Sequence, residues 1–137
     1  MEENRRLRKE LEKASKEKSW RLADELLRSA LEIDGVKLVT YLDGDDEDIT
    51  SLSKRLSSCP NTVVVIGQLE SQRIMVSRSE NLELDAREIL RELTLIAGGG
   101  GGGRPDFAQG GGCDRERIRE AFSKIEETVG RMLIRKS

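Results

Sequence analysis

The sequence of 137 residues contains no histidine and only two cysteines, and aromatic residues make up 3% of it. Without histidine, the chain excludes a histidine-based catalytic triad, a histidine general base and a zinc site of cysteine and histidine ligands. Cys59 and Cys113 lie far apart in the sequence, so neither a disulfide framework nor a metal-ligand spacing is predicted. No apolar run approaches the length of a membrane span, and the charged N-terminus does not resemble a signal peptide. These absences predict a soluble chain in a reducing compartment, and we expect it in the cytoplasm.

Charged residues are abundant instead, at 36% of the chain, which indicates long solvent-facing helices. The net charge of −2 hides an uneven distribution. Residues 1–21 carry a net charge of +3 and residues 104–137 carry +2, whereas residues 22–103 carry −7. A polyanionic partner is therefore expected to contact the ends of the chain before its acidic middle.

The first 31 residues contain neither glycine nor proline, and they predict a helix. Leu7, Leu11 and Ala14 have the a/d spacing of a coiled-coil seam, which makes them candidate dimerisation residues. The seam covers only two heptads, too few for stability alone, and the apolar stripe then restarts in a new phase at Trp20. Two interpretations stay open: the cut end of a longer coiled coil, or a solvated helix. The helix is expected to end at Asp34 because Gly35 follows it.

Strand patterns follow the predicted helix. Residues 36–42 alternate in polarity, residues 62–66 form a β-branched run typical of a central strand, and residues 72–77 predict a third strand. A short amphipathic helix that ends before Pro60 separates the first two strands, so these strands are expected to be parallel and the last two antiparallel.

Two further helices are predicted near the C-terminus, with Asp85 and Asp114 as their N-caps. The second of them carries one apolar stripe from Ile118 to Leu133. The fold class is therefore α/β, a small mixed sheet covered by helices, with an N-terminal helical, coiled-coil-like stalk. We expect the stalk to span residues 1–33 and the globular domain to span residues 34–137.

Residues 98–112 read GGGGGGRPDFAQGGG and hold nine of the thirteen glycines. Composition alone predicts a flexible linker between two helices. The insert RPDFAQ is not linker-like, and the second glycine run leads into the N-terminus of a helix, a natural site for phosphate. Arg104 has the chemistry to bind a phosphate, and Phe107 either stacks on a base or anchors the segment to the core. The segment matches neither the Walker motif nor the dinucleotide-binding fingerprint.

This segment is very similar to the GGGGGRPDMAQAGG-type signature of the DHH-associated domain at the C-terminus of alanyl-tRNA synthetases, archaeal ones in particular. The resemblance extends to IDGVKLVTYL, NTVVVIG and QRIMVSRS, which stand where that family has strands, and it covers residues 20–135. Phe107 and Gly110 replace the family's common methionine and alanine. Related phosphoesterases have Gly-Gly-Gly-His, whereas this chain has Gly-Gly-Gly-Arg, which favours the synthetase branch.

The resemblance implies a role in charging tRNA(Ala) with alanine, as the part of the ligase that binds the tRNA elbow and helps to form a homodimer. It places aminoacylation and editing in upstream domains, together with ATP, magnesium and zinc. We therefore expect no catalytic residue, no metal ligand and no cofactor in this chain, and no membrane partner.

The candidate tRNA-binding residues come from two sources. Those carried over from the resemblance lie in the glycine segment: Gly98, Gly99, Gly100, Gly101, Gly102, Gly103, Arg104, Asp106, Gln109, Gly110, Gly111 and Gly112. Those added for their charge lie in the following helix: Arg115, Arg117, Arg119 and Lys124. An ordinary solvated helix face is the alternative explanation for the second group.

Two other functions stay open from the sequence. A purely structural dimerisation module predicts a dimer with no affinity for RNA. The substrate-binding half of a DHH-type phosphoesterase predicts binding of mononucleotides or cyclic dinucleotides, and the missing histidine counts against it.

Overall fold

The computed structural model describes residues 21–42 and 49–136. Leu7, Leu11 and Ala14 lie outside these ranges, so the predicted dimerisation seam stays a prediction. The helices are α1 (described over residues 21–28), α2 (Ile49–Ser57), α3 (Ala86–Ala97), α4 (Arg115–Ser123) and α5 (Ile125–Lys136). The strands are β1 (Leu31–Ile33), β2 (Val36–Leu42), β3 (Thr62–Gln68), β4 (Arg73–Arg78), β5 (Gly100–Arg104) and β6 (Phe107–Gly111).

The described strands form one mixed sheet in the order β1-β2-β3-β4-β6-β5. β2 and β3 are parallel, with Val39 opposite Val64, and α2 connects them. The other neighbouring pairs are antiparallel. The predicted α/β class, the parallel crossover and the antiparallel third strand are therefore confirmed, while β1, β5 and β6 were not predicted.

The turn at Asp34 and Gly35 joins β1 to β2, and Ile33 lies opposite Val36. Both turn residues have positive φ, 49° and 81°, as a type I′ hairpin turn requires. The helix predicted through residue 31 is confirmed over residues 21–28, but its predicted end at Asp34 is wrong, because β1 begins at Leu31. Asp-Gly is a hairpin signal, and here it folds residues 31–33 of the predicted stalk onto the edge of the sheet.

Helices cover both faces of the sheet. On one face, α3, α4 and α5 contribute Ile89, Leu93, Ile118 and Val129 to a large buried cluster. On the other face, Ala23 of α1 and Leu52 and Leu56 of α2 form a smaller one. The central strand β3 supplies residues to both clusters and is buried along its length, as its β-branched run predicts.

The C-terminal stripe forms two helices rather than the single predicted one. Lys124 is the C-cap of α4, and its backbone N–H donates to the carbonyl oxygens of Ala121 and Phe122. The predicted N-caps are confirmed, because the Asp85 carboxylate accepts from the Arg87 N–H and the Asp114 carboxylate accepts from the Glu116 and Arg117 N–H groups. Each cap satisfies helix-end donors that have no partner inside the helix.

Cys113, immediately before the N-cap Asp114, is fully buried, and burial raises the pKa of its thiol. Cys113 therefore packs in the core as a small apolar residue.

The glycine segment, predicted as a loop, forms the hairpin β5–β6. Gly100 lies opposite Gly111 and Arg104 lies opposite Phe107, with Pro105 and Asp106 as the two-residue turn. β6 also pairs with β4, so the hairpin extends the sheet and leaves β5 at its edge. Glycine is depleted in strands, which explains why the sequence pattern did not predict them.

Candidate nucleic-acid interface

The turn of the β5–β6 hairpin is held in place by backbone hydrogen bonds. The Ala86 N–H at the start of α3 donates to the Pro105 carbonyl oxygen at 2.8 Å. The Arg78 N–H at the end of β4 donates to the Asp106 carbonyl oxygen at 3.1 Å. The segment between the two glycine runs is therefore anchored to the core rather than free in the manner of a linker.

Three of the glycines are required by the fold. A Cβ added to Gly99, Gly101 or Gly103 would overlap a backbone carbonyl oxygen of β6. The Cβ on Gly103 would also lie 2.7 Å from the Ala108 Cα, a separation that real Cβ atoms do not show. Every second residue of this stretch must therefore be glycine for the two strands to pair.

Gly100, Gly102 and Gly111 are different, because a Cβ on any of them would meet nothing within 4 Å. Gly102 lies opposite Gln109, which is exposed and pairs in turn with Met75. Met75 belongs to the buried cluster on the α2 side of the sheet, so these three glycines face that side. α2 packs on β3 and β4, so in the part of the chain that the structure describes the β5–β6 end of this face stays open. The hairpin itself contributes only the side chains of Arg104, Phe107 and Gln109 to this face.

Arg104 stands beside the turn, with its side chain 75% exposed and its Nε 3.6 Å from an oxygen of Asp106. An exposed pair at this distance contributes little to stability, so a phosphate can replace the aspartate as its partner. Phe107, opposite Arg104, packs against the α2-side cluster and is half-buried. Its packing matches the predicted anchor, and its partial exposure leaves one part of the ring accessible.

Arg104, Asp106 and Phe107 also line a cavity of about 700 Å³. Two further cations line the same cavity, Lys54 of α2 and Arg78 of β4, together with several hydroxyl groups. The Arg78 Nε is buried and has no hydrogen-bond acceptor among the described residues. Sequence reasoning missed both cations, because only the crossover of α2 and the pairing of β4 with β6 bring them to the hairpin. The remaining lining residues are Ser53, Ser57, Ser58, Pro60, Ser77, Ser79, Glu80 and Asn81.

A smaller cavity, of about 220 Å³, lies at the other end of the hairpin. It is lined by Arg73, Gly100, Gln109, Gly110 and Gly111. Gln109 thus lines a different cavity from Arg104 and Asp106, which line the larger one. Arg73 at the start of β4 is a second cation that the sequence did not single out.

The helix N-terminus that the sequence suggested as a phosphate site is already occupied by its own cap. The Asp114 carboxylate accepts from the amides of Glu116 and Arg117 at 2.9 and 3.3 Å. A phosphate there would have to displace a negatively charged group.

The basic residues of α4 are spread along the helix rather than gathered at the hairpin. The Arg115 Nη2 lies 3.8 Å from the Glu70 Oε2, and the Lys124 Nζ lies 3.7 Å from the Glu120 Oε1. Arg117 and Arg119 are exposed. Lys124 lies about 15 Å along the helix axis from its N-terminus, so the fold does not bring it to the glycine hairpin.

Among residues 21–42 and 49–136, the side chains described offer no group of three or more aspartate, glutamate, cysteine or histidine residues that would hold a metal ion. Within the same ranges, every helix is too short or too polar to cross a bilayer.

The family model and the sequence relatives that match this chain agree with each other. Residues 34–131 match the DHHA1 domain family. The chain is 32% identical over 130 residues to the alanine–tRNA ligase of Pseudomonas syringae pv. tomato, and 35% identical over 119 residues to that of Pyrococcus abyssi. These alignments cover 90% and 86% of the chain but only 15% and 13% of the ligases.

A solved structure agrees with the sequence matches. The fold is similar to that of the C-Ala domain of alanyl-tRNA synthetase from Aquifex aeolicus, with a TM-score of 0.61 and 26% identity. The match covers 74% of this chain and 97% of that domain. The chain therefore belongs to the DHHA1 domain family, and within that family it is similar to the C-terminal domain of alanyl-tRNA synthetase.

Proposed function

We propose that this chain is the tRNA-binding C-terminal part of a cytoplasmic alanine–tRNA ligase, and that it binds the elbow of tRNA(Ala) through the β5–β6 hairpin. The observation that carries the proposal is the open face of the hairpin, free of side chains at Gly100, Gly102 and Gly111 and flanked by arginines, in a chain similar to a C-Ala domain. Because the chain spans about 15% of its relatives' length, aminoacylation belongs to the rest of the ligase.

The chemistry of this face suits an RNA backbone. Glycines without a Cβ let a ribose–phosphate chain approach the strands closely, and backbone groups along the exposed edge of β5 are accessible to it. Arg104 supplies the charge that a phosphate requires, with a fork of donors suited to its oxygens. The net charge of −7 on residues 22–103 opposes broad contact with RNA, so binding is local and selects for the shape of the tRNA.

Arg104→Ala is expected to raise the Kd for tRNA(Ala) about tenfold, because it removes one charge-assisted contact to a phosphate. The measurement is a titration of labelled tRNA(Ala) at several salt concentrations. Affinity should fall with salt for both proteins, and less steeply for the variant, since it releases fewer counterions.

The matched control is Arg91→Ala, which removes the same charge from an exposed position on α3, on the opposite side of the sheet. It should bind tRNA(Ala) as the unchanged protein does. Equal affinities for all three proteins would place the site away from Arg104. Absence of tRNA binding even at low salt, with retention of mononucleotides, would support a phosphoesterase-type substrate domain instead.

We also propose that the N-terminal segment dimerises the ligase through Leu7, Leu11 and Ala14, whose a/d spacing is the basis for this assignment. Leu7→Asp combined with Leu11→Asp is expected to convert a concentration-dependent dimer into a monomer, since charges at seam positions oppose association. Sedimentation equilibrium of the full chain measures this. A matched pair of substitutions outside the seam, Arg6→Asp with Lys9→Asp, should leave the dimer intact. A monomeric unchanged protein at all concentrations would contradict the proposal.

A further inference from the structure

Arg73 is placed beside the hairpin by strand register. It opens β4 one residue before Ile74, which lies opposite Gly110, and Gly110 lies opposite Gly101. Arg73 is exposed and lines the small cavity of about 220 Å³ with Gln109 and the glycine backbone. A guanidinium group therefore stands at the end of the open face that is farthest from Arg104.

The surroundings of this cavity favour an anion. In the part of the chain that the structure describes, no side-chain hydrogen bond or ion pair involves Arg73. The carboxylate of Glu70, three residues before Arg73, is paired with another arginine: its Oε2 lies 3.8 Å from the Arg115 Nη2. Gln109 adds an amide donor to the same cavity, and the other lining residues are glycines, which bring no side chains.

The distance between the two arginines determines what they can share. Arg73 shares its cavity with Gly100 at the start of β5, whereas Arg104 is the last residue of that strand. Gly100 and Arg104 are four residues apart, which corresponds to about 14 Å along an antiparallel strand. This separation is too large for both guanidinium groups to bind a single phosphate. A chain with regularly spaced phosphates that crosses the open face, in contrast, presents a separate one to each.

From this arrangement we infer that Arg73 is a further RNA-contacting residue, whose guanidinium binds a backbone phosphate of the tRNA in the cavity formed with Gln109, Gly100 and Gly111. The inference rests on the proposed function, and it adds a direction to it: the RNA strand runs along the hairpin from Arg104 to Arg73 across the α2-side face. The basic residues of α4 are then secondary to the two arginines.

The test compares Arg73→Ala, Arg73→Lys, Arg104→Ala and the double alanine variant of the full chain in titrations with labelled tRNA(Ala). Arg73→Ala should weaken binding about tenfold, and Arg73→Lys less, because lysine keeps the charge without the planar fork. Since the two sites are far apart, the effects should multiply to about a hundredfold in the double variant. Each alanine should also lower the slope of log affinity against log salt by about 0.7 to 0.9.

The control is again Arg91→Ala, and unfolding curves check that each variant is folded. If the unchanged protein binds and Arg73→Ala binds as tightly as Arg91→Ala, the inference is overturned while the proposed function stands. If the unchanged protein does not bind tRNA(Ala) at low salt, the proposed function fails and the inference fails with it.

Discussion

Gly101→Ala is expected to destabilise the protein by about 3 kcal/mol or more and to detach β5 from β6. The new Cβ would overlap the Gln109 carbonyl oxygen and lie 2.8 Å from its carbonyl carbon. Both atoms belong to the backbone of β6, which is paired on one side with β4 and on the other with β5, so neither can move without disrupting the ladder. Urea unfolding followed by circular dichroism measures the loss in the free energy of unfolding.

Gly102→Ala is the matched control on the neighbouring residue. Its Cβ would meet no atom within 4 Å, and alanine restricts the unfolded chain more than glycine does. The free energy of unfolding should therefore stay unchanged or rise by up to about 1 kcal/mol. Equal stability of the two variants would show that the hairpin is not paired in the register described.

Leu93→Ala is expected to lower the free energy of unfolding by about 2–5 kcal/mol. Leu93 is 1% exposed and lies on the face of α3 that packs into the larger buried cluster. Truncation removes buried apolar surface and leaves a cavity that the surrounding strands cannot fill, because β3 and β4 are fixed by pairing on both sides.

Leu95→Ala provides the comparison, because the same atoms are deleted two residues further along the same helix. Leu95 is 74% exposed, so its truncation should change the free energy of unfolding by no more than about 0.5 kcal/mol. Thermal and urea unfolding of both variants measure the difference. A loss below 1 kcal/mol for Leu93→Ala would contradict the packing of α3 against the sheet.

Much of the fold could be predicted because local pattern and tertiary environment agree. The run from Thr62 to Ile66 is β-branched throughout, and only a strand buried on both faces accommodates it, as β3 is. Asp85 and Asp114 precede amphipathic helices, and both prove to be N-caps. In these segments a short-range signal, either side-chain periodicity or capping chemistry, matched what packing requires.

The edge strands could not be predicted in the same way. β5 contains four glycines, which carry no periodicity and weaken a strand on their own. These glycines form a strand because they pair with β6, and β6 is fixed in turn by its pairing with β4. The hairpin at Asp34 and Gly35 had a recognisable signal, but the helical pattern before it led to the wrong interpretation.

The sequence by itself determined the α/β class, the central strand, the helix caps and the family signature, because each depends on residues close together in the chain. The tertiary structure alone decided that the glycine segment is a paired hairpin, which of its glycines the fold needs, and which cations stand beside it. Lys54, Arg73 and Arg78 reach the hairpin from α2 and β4. Their proximity follows from strand order and register, which are set by long-range pairing rather than by any local pattern.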